Sequence, residues 1–239
     1  MTSTVAPIRA GARAMLPALA VVPLLRYAVA VHAVADDQPW RTTCPCGQPL
    51  WPDAIGPSGR CAGCGRRVGA APYAVEAAAL ALIAGLVASG RTGWALAALA
   101  WCAAGMVVLF FVDLAVMRLP HRITAVTTAG FLALLAVSGD PRAWLRAVGA
   151  GLVLAVFFAV LAVVSRGQLG WGDVAVAVPV AAVLGWHSWS AVYAGTLLGL
   201  GAAALAAVIL RRTGRLAAGA YLPFGPFLFA AAAAVVVWP

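Results

Sequence analysis

Two aspartates and four cysteines are the residues of this chain whose types and surroundings best suit chemistry. Asp113 stands in "VDLAVMRLPHRIT", residues 112–124, and Asp173 in "GQLGWGDVAVAV", residues 167–178. An ionised Asp near hydrocarbon costs about 2.5–3.5 kcal/mol on insertion scales, so it faces a protein interior or a water-filled cavity. Two carboxylates a few Å apart cannot both ionise: one pKa rises, one falls, and the pair shares a proton. Such a pair can take a proton from water with one member and protonate a carbonyl oxygen with the other, which is aspartic hydrolysis. The same two acids could instead relay protons or cations in a transporter or channel. Gly170 and Gly172 remove side chains beside Asp173, so an extended backbone could approach there. They also suit the plainer reading of small residues at a helix interface, with Asp173 as an N-cap.

The cysteines form a second set. Cys44, Cys46, Cys61 and Cys64 spell C-x-C and C-x-x-C, separated by fourteen residues. Four thiolates within tetrahedral reach suit a structural Zn²⁺, and a reducing compartment disfavours disulfides. Free thiols without metal are the alternative. A metal-bearing membrane scaffold that docks a partner through this loop, with no chemistry of its own, is a third functional class. Cys102 stands alone inside an apolar run and reads as a small packing residue.

The elements that must position these residues follow from the hydropathy. With 64% hydrophobic and 10% charged residues and a mean hydropathy of +0.98, the chain reads as an all-α, polytopic membrane protein, neither soluble nor disordered. A run of about 20 apolar residues crosses ~30 Å of hydrocarbon. Eight runs qualify: residues 14–35, 73–89, 92–112, 123–138, 144–164, 169–186, 189–210 and 220–238. The first begins after Arg9 and Arg13 like a signal peptide. It is too long and too interrupted, by Arg26, for a cleaved one, and reads as an anchor.

The net charge of +9 comes from 16 arginines, with no lysine. In a membrane chain this balance speaks of orientation and anionic headgroups, not of nucleic acid. Ten arginines fall in loops on one side and four or five on the other. The richer side, cytoplasmic by this bias, holds the Cys-rich loop between spans one and two. Of the seven acids, Asp36, Asp37, Asp53 and Asp140 lie in loops. Glu76, Asp113 and Asp173 remain at span edges on the cytoplasmic side. A relay wants its acids near mid-membrane, so the edge position favours the hydrolytic reading. Glu76 pairs with an Arg of the Cys loop or lines the cleft. Arg211, Arg212 and Arg215 read as headgroup anchors, and His32 and His187 as packing or interfacial residues.

Taken together, these motifs resemble the type IV prepilin peptidases, a group of G-x-G-D intramembrane aspartyl proteases. "GQLGWGDVAVAV" resembles the G-x-G-D motif, and "VDLAVMRLPHRIT" its companion, an Asp several residues before Leu-Pro. "YLPFGPFLF", residues 221–229, resembles the Pro-Phe-Gly-Pro segment carried here by Pro223, Phe224, Gly225 and Pro226. "PYAVEAAA", residues 72–79, resembles the Tyr-Pro-x-x-Glu helix start after a Cys-rich loop. The resemblance implies a plasma-membrane endopeptidase that cuts the leader of pilin or pseudopilin precursors at the cytoplasmic face, after a Gly. It makes Asp113 and Asp173 the catalytic pair, with Gly170, Gly172, Glu76 and the 223–226 segment shaping the site. It divides the chain into an anchor with its Cys loop, 1–72, and a peptidase core, 73–239. Three departures stand out. His121 replaces a common second Asp after Leu-Pro, the first cysteine pair is one residue short of C-x-x-C, and the N-terminal region lacks the family's usual pattern. That last region is associated with a second activity of the family, methylation of the new N-terminus from S-adenosylmethionine, which this departure leaves open.

Overall fold

Each of the eight apolar runs forms an α-helix in the computed structural model, which describes residues 16–35, 38–165, 169–217 and 222–237. Arg9, Arg13, Asp36, Asp37, Arg166 and Tyr221, used above for topology and motifs, lie outside the described residues, as do Gly167 and Gln168. A 3-10 turn, Leu16–Val21, leads into α1, Val22–His32. There follow α2, Ala74–Ala88; α3, Gly93–Val116; α4, His121–Val137; α5, Pro141–Val164; α6, Trp171–His187; α7, Trp189–Arg212; and α8, Gly225–Val237. Among the described residues there is no strand, only two isolated bridges in the Cys loop. Helices α3, α5 and α7, at 24 residues each, are long and apolar enough to cross a membrane, about 36 Å at 1.5 Å per residue. The other five are shorter apolar helices. Pro23 opens α1 where its missing N–H is no loss.

The chain divides into two units, Met1–Pro120 and His121–Pro239. In the first, α1 and α2 both pack on α3. The Cys loop folds back on α1 through a small core of Ala30, Cys44, Leu50, Ala54, Cys61 and Val68, flanked by Tyr27 and Val31. Trp51 sets its ring edge-on against Tyr27 at 5.4 Å.

In the second unit the closest helix pair is α5 with α6. Small residues make that approach feasible, as in other membrane interfaces where hydrocarbon supplies no drive for helices to associate. Ala143, Ala147, Ala150 and Gly151 are buried along α5. A Cβ added at Gly185 of α6 would lie 2.4 Å from the Ala150 Cβ and 3.0 Å from the Arg146 carbonyl oxygen. The end of α6 is closed from the same helix. Arg146 donates from Nε to the Gly185 carbonyl at 2.5 Å, and from one terminal nitrogen to those of Trp186 and His187 at 2.5 and 3.1 Å. The last carbonyls of a helix in general point beyond its own ladder, and a cation there also meets the negative end of the helix dipole. Further along, α7 closes on α8 where Gly199 meets Leu228, and on α6 where Gly195 meets Leu184. The opposite face of α5 leaves Leu152, Val156, Val160 and Val163 exposed, a continuous apolar stripe of the kind that lipid covers.

Alanine gains about 1 kcal/mol over glycine in helix propensity, but this does not offset the overlap at Gly185. Gly185→Ala is expected to destabilise the protein by about 1–3 kcal/mol. Adding Ala150→Gly should restore most of the loss in thermal unfolding in detergent. Equal melting of the single variant and the parent would contradict this packing.

Candidate active site

Asp113 sits inside the last turn of α3 and is buried, 3% exposed. The apolar run ends at Val112, so the helix was expected to close at Asp113. It instead continues to Val116, because Leu114, Ala115 and Val116 contain no breaker. Met117 ends it in the left-handed region at φ 51°, donating its N–H to the Asp113 carbonyl at 2.8 Å. Pro120 then disfavours helix at Leu119. The turn is tied to the end of the α1 segment by Arg118, which donates to the Ala35 carbonyl at 3.0 Å.

Asp173, in the second unit, is the third residue of α6, so it is not the N-cap. That place belongs to Gly170, in extended backbone at φ −76° and ψ 150°. The two residues bond reciprocally. The Asp173 N–H donates to the Gly170 carbonyl at 3.0 Å, and Oδ2 of Asp173 accepts the Gly170 N–H at 3.1 Å. This is the geometry of half a capping box, and it holds the carboxylate at the positive end of α6. A Cβ at Gly170 would stand 3.4 Å from Oδ2, so the glycine keeps that side of the carboxylate open. The backbone angles themselves do not demand it.

The arginine that engages Glu76 is not one of the Cys loop. It is Arg26 of α1, the residue that interrupts the first apolar run. The guanidinium donates to both carboxylate oxygens, Nε to Oε1 at 2.8 Å and a terminal nitrogen to Oε2 at 2.5 Å. Arg26 is wholly buried and also donates to the carbonyls of Ala70 and Ala71. One bidentate charge pair thus joins the first helix, the exit of the Cys loop and the start of α2. The pull of a guanidinium on both oxygens fits a carboxylate that stays ionised.

The 223–226 segment builds the start of α8. Gly225 and Pro226 are buried, with Pro226 in the first turn where proline is tolerated. Phe224 packs on Phe158 of α5 at 5.5 Å, and its carbonyl accepts the N–H groups of Phe227 and Leu228. His121 is exposed at the start of α4. His32 and His187 each bond a carbonyl one turn back in their own helix, as packing residues do.

The four cysteines converge. Their sulfurs all lie within 4.8 Å of one another, with Cys44 to Cys64 and Cys46 to Cys61 at 3.6 Å. A tetrahedral ion with ~2.3 Å bonds to sulfur needs sulfurs about 3.8 Å apart, so the set can hold a metal. Two similar turns deliver them. The Cys44 N–H donates to the Gln48 carbonyl and the Gly47 N–H to that of Cys44; the Cys61 N–H donates to Arg66 and the Gly65 N–H to Cys61. Gly47 and Gly65 take positive φ, at 87° and 67°. The one-residue difference between the cysteine pairs is absorbed as a tighter first turn. Asp53 braces the second by accepting the Ala62 N–H at 3.0 Å. The Cys46 backbone N–H draws the Cys44 pKa down, while burial and the thiols of Cys64, Cys46 and Cys61 push it up, to about 12 overall. A divalent cation among these sulfurs would reverse that balance by stabilising thiolates.

Two arginines that sequence reading left as loop or span charges, Arg26 and Arg146, are therefore structural centres of their units. The signal for Arg26 was available: a lone cation in one apolar helix and a lone Glu at the start of another.

Against known proteins, residues 99–238 match the type IV leader peptidase family, a stretch containing both Asp113 and Asp173. The prepilin leader peptidase/N-methyltransferase of Burkholderia pseudomallei strain 1026b is 32% identical over 209 residues, covering 82% of this chain and 66% of that protein. The protein of the same name from strain K96243 matches with the same figures. The chain thus spans just under two thirds of the length of these curated relatives. No solved structure matches it.

Removing one partner of the Arg26–Glu76 pair strands the other charge, at a cost of about 3–5 kcal/mol. Arg26→Met and Glu76→Leu should each lower the unfolding temperature strongly, and the double variant should recover much of it. Strictly additive losses in this cycle would show that the pair carries no coupling.

Proposed function

From a chain that belongs to the type IV leader peptidase family, we propose a membrane-embedded aspartic endopeptidase that removes the leader of a pilin-like or pseudopilin-like precursor. The observation that carries this reading is the family match over residues 99–238, which takes in both candidate acids in their motifs. Asp113 and Asp173 act as the catalytic pair. One, ionised, accepts a proton from water as the oxygen attacks the scissile carbonyl; the other, protonated, gives its proton to that carbonyl oxygen. The reciprocal bond with Gly170 fixes the rotamer of Asp173 without occupying both its oxygens. Gly170 and Gly172 admit an extended substrate backbone, and residues 223–226 shape the site from the start of α8. Glu76 serves this site indirectly, by holding α1 to α2.

Residues 1–72 act as anchor and Cys loop, and residues 73–239 as peptidase core. The apolar helices lie in the plasma membrane among its lipids, and the arginine bias turns the site to the cytoplasm, where the leader is presented. Cys44, Cys46, Cys61 and Cys64 hold a structural Zn²⁺, which when bound supplies a cross-link between the two turns. Methylation of the new N-terminus from S-adenosylmethionine remains a separable second activity, named for the Burkholderia relatives. The family membership weighs against the ion-relay reading of the two acids.

Co-expression with a candidate precursor, followed by mass spectrometry of the product N-terminus, tests the proposal. Asp113→Asn and Asp173→Asn should each lower cleavage by at least about 10²-fold, and normal processing by either variant would reject the mechanism. A product heavier by one methyl would establish the second activity. Elemental analysis of the purified chain should find about one zinc per molecule, lost in Cys44→Ser with Cys61→Ser; no zinc in the parent would leave the cluster as thiols.

A further inference from the structure

Among the four sulfurs, all within 4.8 Å of one another, two contacts of 3.6 Å run between the turns: Cys44 with Cys64, and Cys46 with Cys61. Each of these pairs joins one buried cysteine, Cys44 or Cys61, to one exposed cysteine, Cys64 or Cys46. An oxidant arriving from water thus meets one member of each pair first, with a second thiol already within reach behind it. Cys102, the remaining cysteine, is buried alone in α3 and has no such partner.

We propose that the cluster is a site of reversible thiol oxidation by hydroperoxides, in which disulfides form across the two turns, Cys44 to Cys64 and Cys46 to Cys61. The thiolate of an exposed cysteine attacks a peroxide oxygen. The O–O bond breaks, the sulfur becomes a sulfenic acid, and the departing hydroxide is protonated to water. The buried partner then attacks that sulfur, the S–O bond breaks, a second water leaves and the S–S bond forms. Each disulfide therefore consumes one hydrogen peroxide and two thiols and yields two waters. The inference extends the zinc reading, because a disulfide sulfur no longer binds the ion as thiolate and oxidation must release it. The crossed pairing keeps the two turns joined after the metal has left, so the loop exchanges one cross-link for another.

The test uses the full chain in detergent, with zinc content measured first, so that absence of metal is scored separately from absence of oxidation. Hydrogen peroxide is added, released zinc is followed with a chromogenic chelator, and disulfides are mapped by peptide mass spectrometry after alkylation. The expected result is the two crossed disulfides, zinc release in step with them where zinc was present, recovery with dithiothreitol, and Cys102 still alkylatable. In Cys44→Ser, the Cys46–Cys61 bridge should still form while Cys64 proceeds to sulfinic acid. Bridges of Cys44 to Cys46 and Cys61 to Cys64, or overoxidised Cys46 and Cys64 above unreacted Cys44 and Cys61, would overturn the proposal.

Discussion

A charge set among hydrocarbon has to be answered by another charge, by a dipole or by water, and in this chain the answers define the architecture. With only seven acids in 239 residues, each acid at the edge of an apolar helix is an architectural commitment. Glu76 is answered by the bidentate guanidinium of Arg26, and Asp173 by the Gly170 N–H at the positive end of α6. The one commitment is closed and structural, since both oxygens of Glu76 are engaged by a wholly buried partner. The other leaves a carboxylate braced through one oxygen at the N-terminal end of a helix.

The same economy governs the rest of each unit. Arg26 gathers three segments that local propensity would not hold together: α1, the 70–71 stretch and α2. The Cys loop then builds its own small core on α1. Few apolar side chains take part, and a metal link between the two turns would add what so small a core lacks. In the second unit, hydrocarbon gives no reason for helices to associate, so contact rests on fit. Gly185 against Ala150 and Gly199 against Leu228 bring backbones close, and Arg146 satisfies the carbonyls that such a close approach would otherwise seal away.

Much of this was readable in the linear chain. The eight apolar runs anticipated the eight helices because twenty-odd residues of Ala, Val and Leu offer no alternative structure in an apolar setting. Their ends were less legible. The third run was read to Val112 and the helix ends at Val116, because the stop is set by the left-handed turn at Met117 and not by polarity. The cysteine spacing announced a convergent cluster, whereas the tightened first turn that makes C-x-C equivalent to C-x-x-C is a backbone adjustment no spacing rule encodes. The partner of Glu76 lay fifty residues away, and only packing could choose Arg26 over the arginines of the nearer loop. In the same way, a reading of Asp173 as an N-cap missed by three residues the role it takes, reaching back to the N-cap instead.

The proposed hydrolysis requires two carboxyl groups that divide one proton between them while a peptide bond is cut. The pH dependence of kcat, measured with purified protein and a synthetic precursor peptide, addresses this most directly, because the active form must carry one ionised and one protonated acid. A shared proton gives a bell-shaped profile, with two limbs that belong to the pair as a whole. A rate that rises with pH through a single ionisation and then stays level would mean that no protonated carboxyl takes part, and would contradict it.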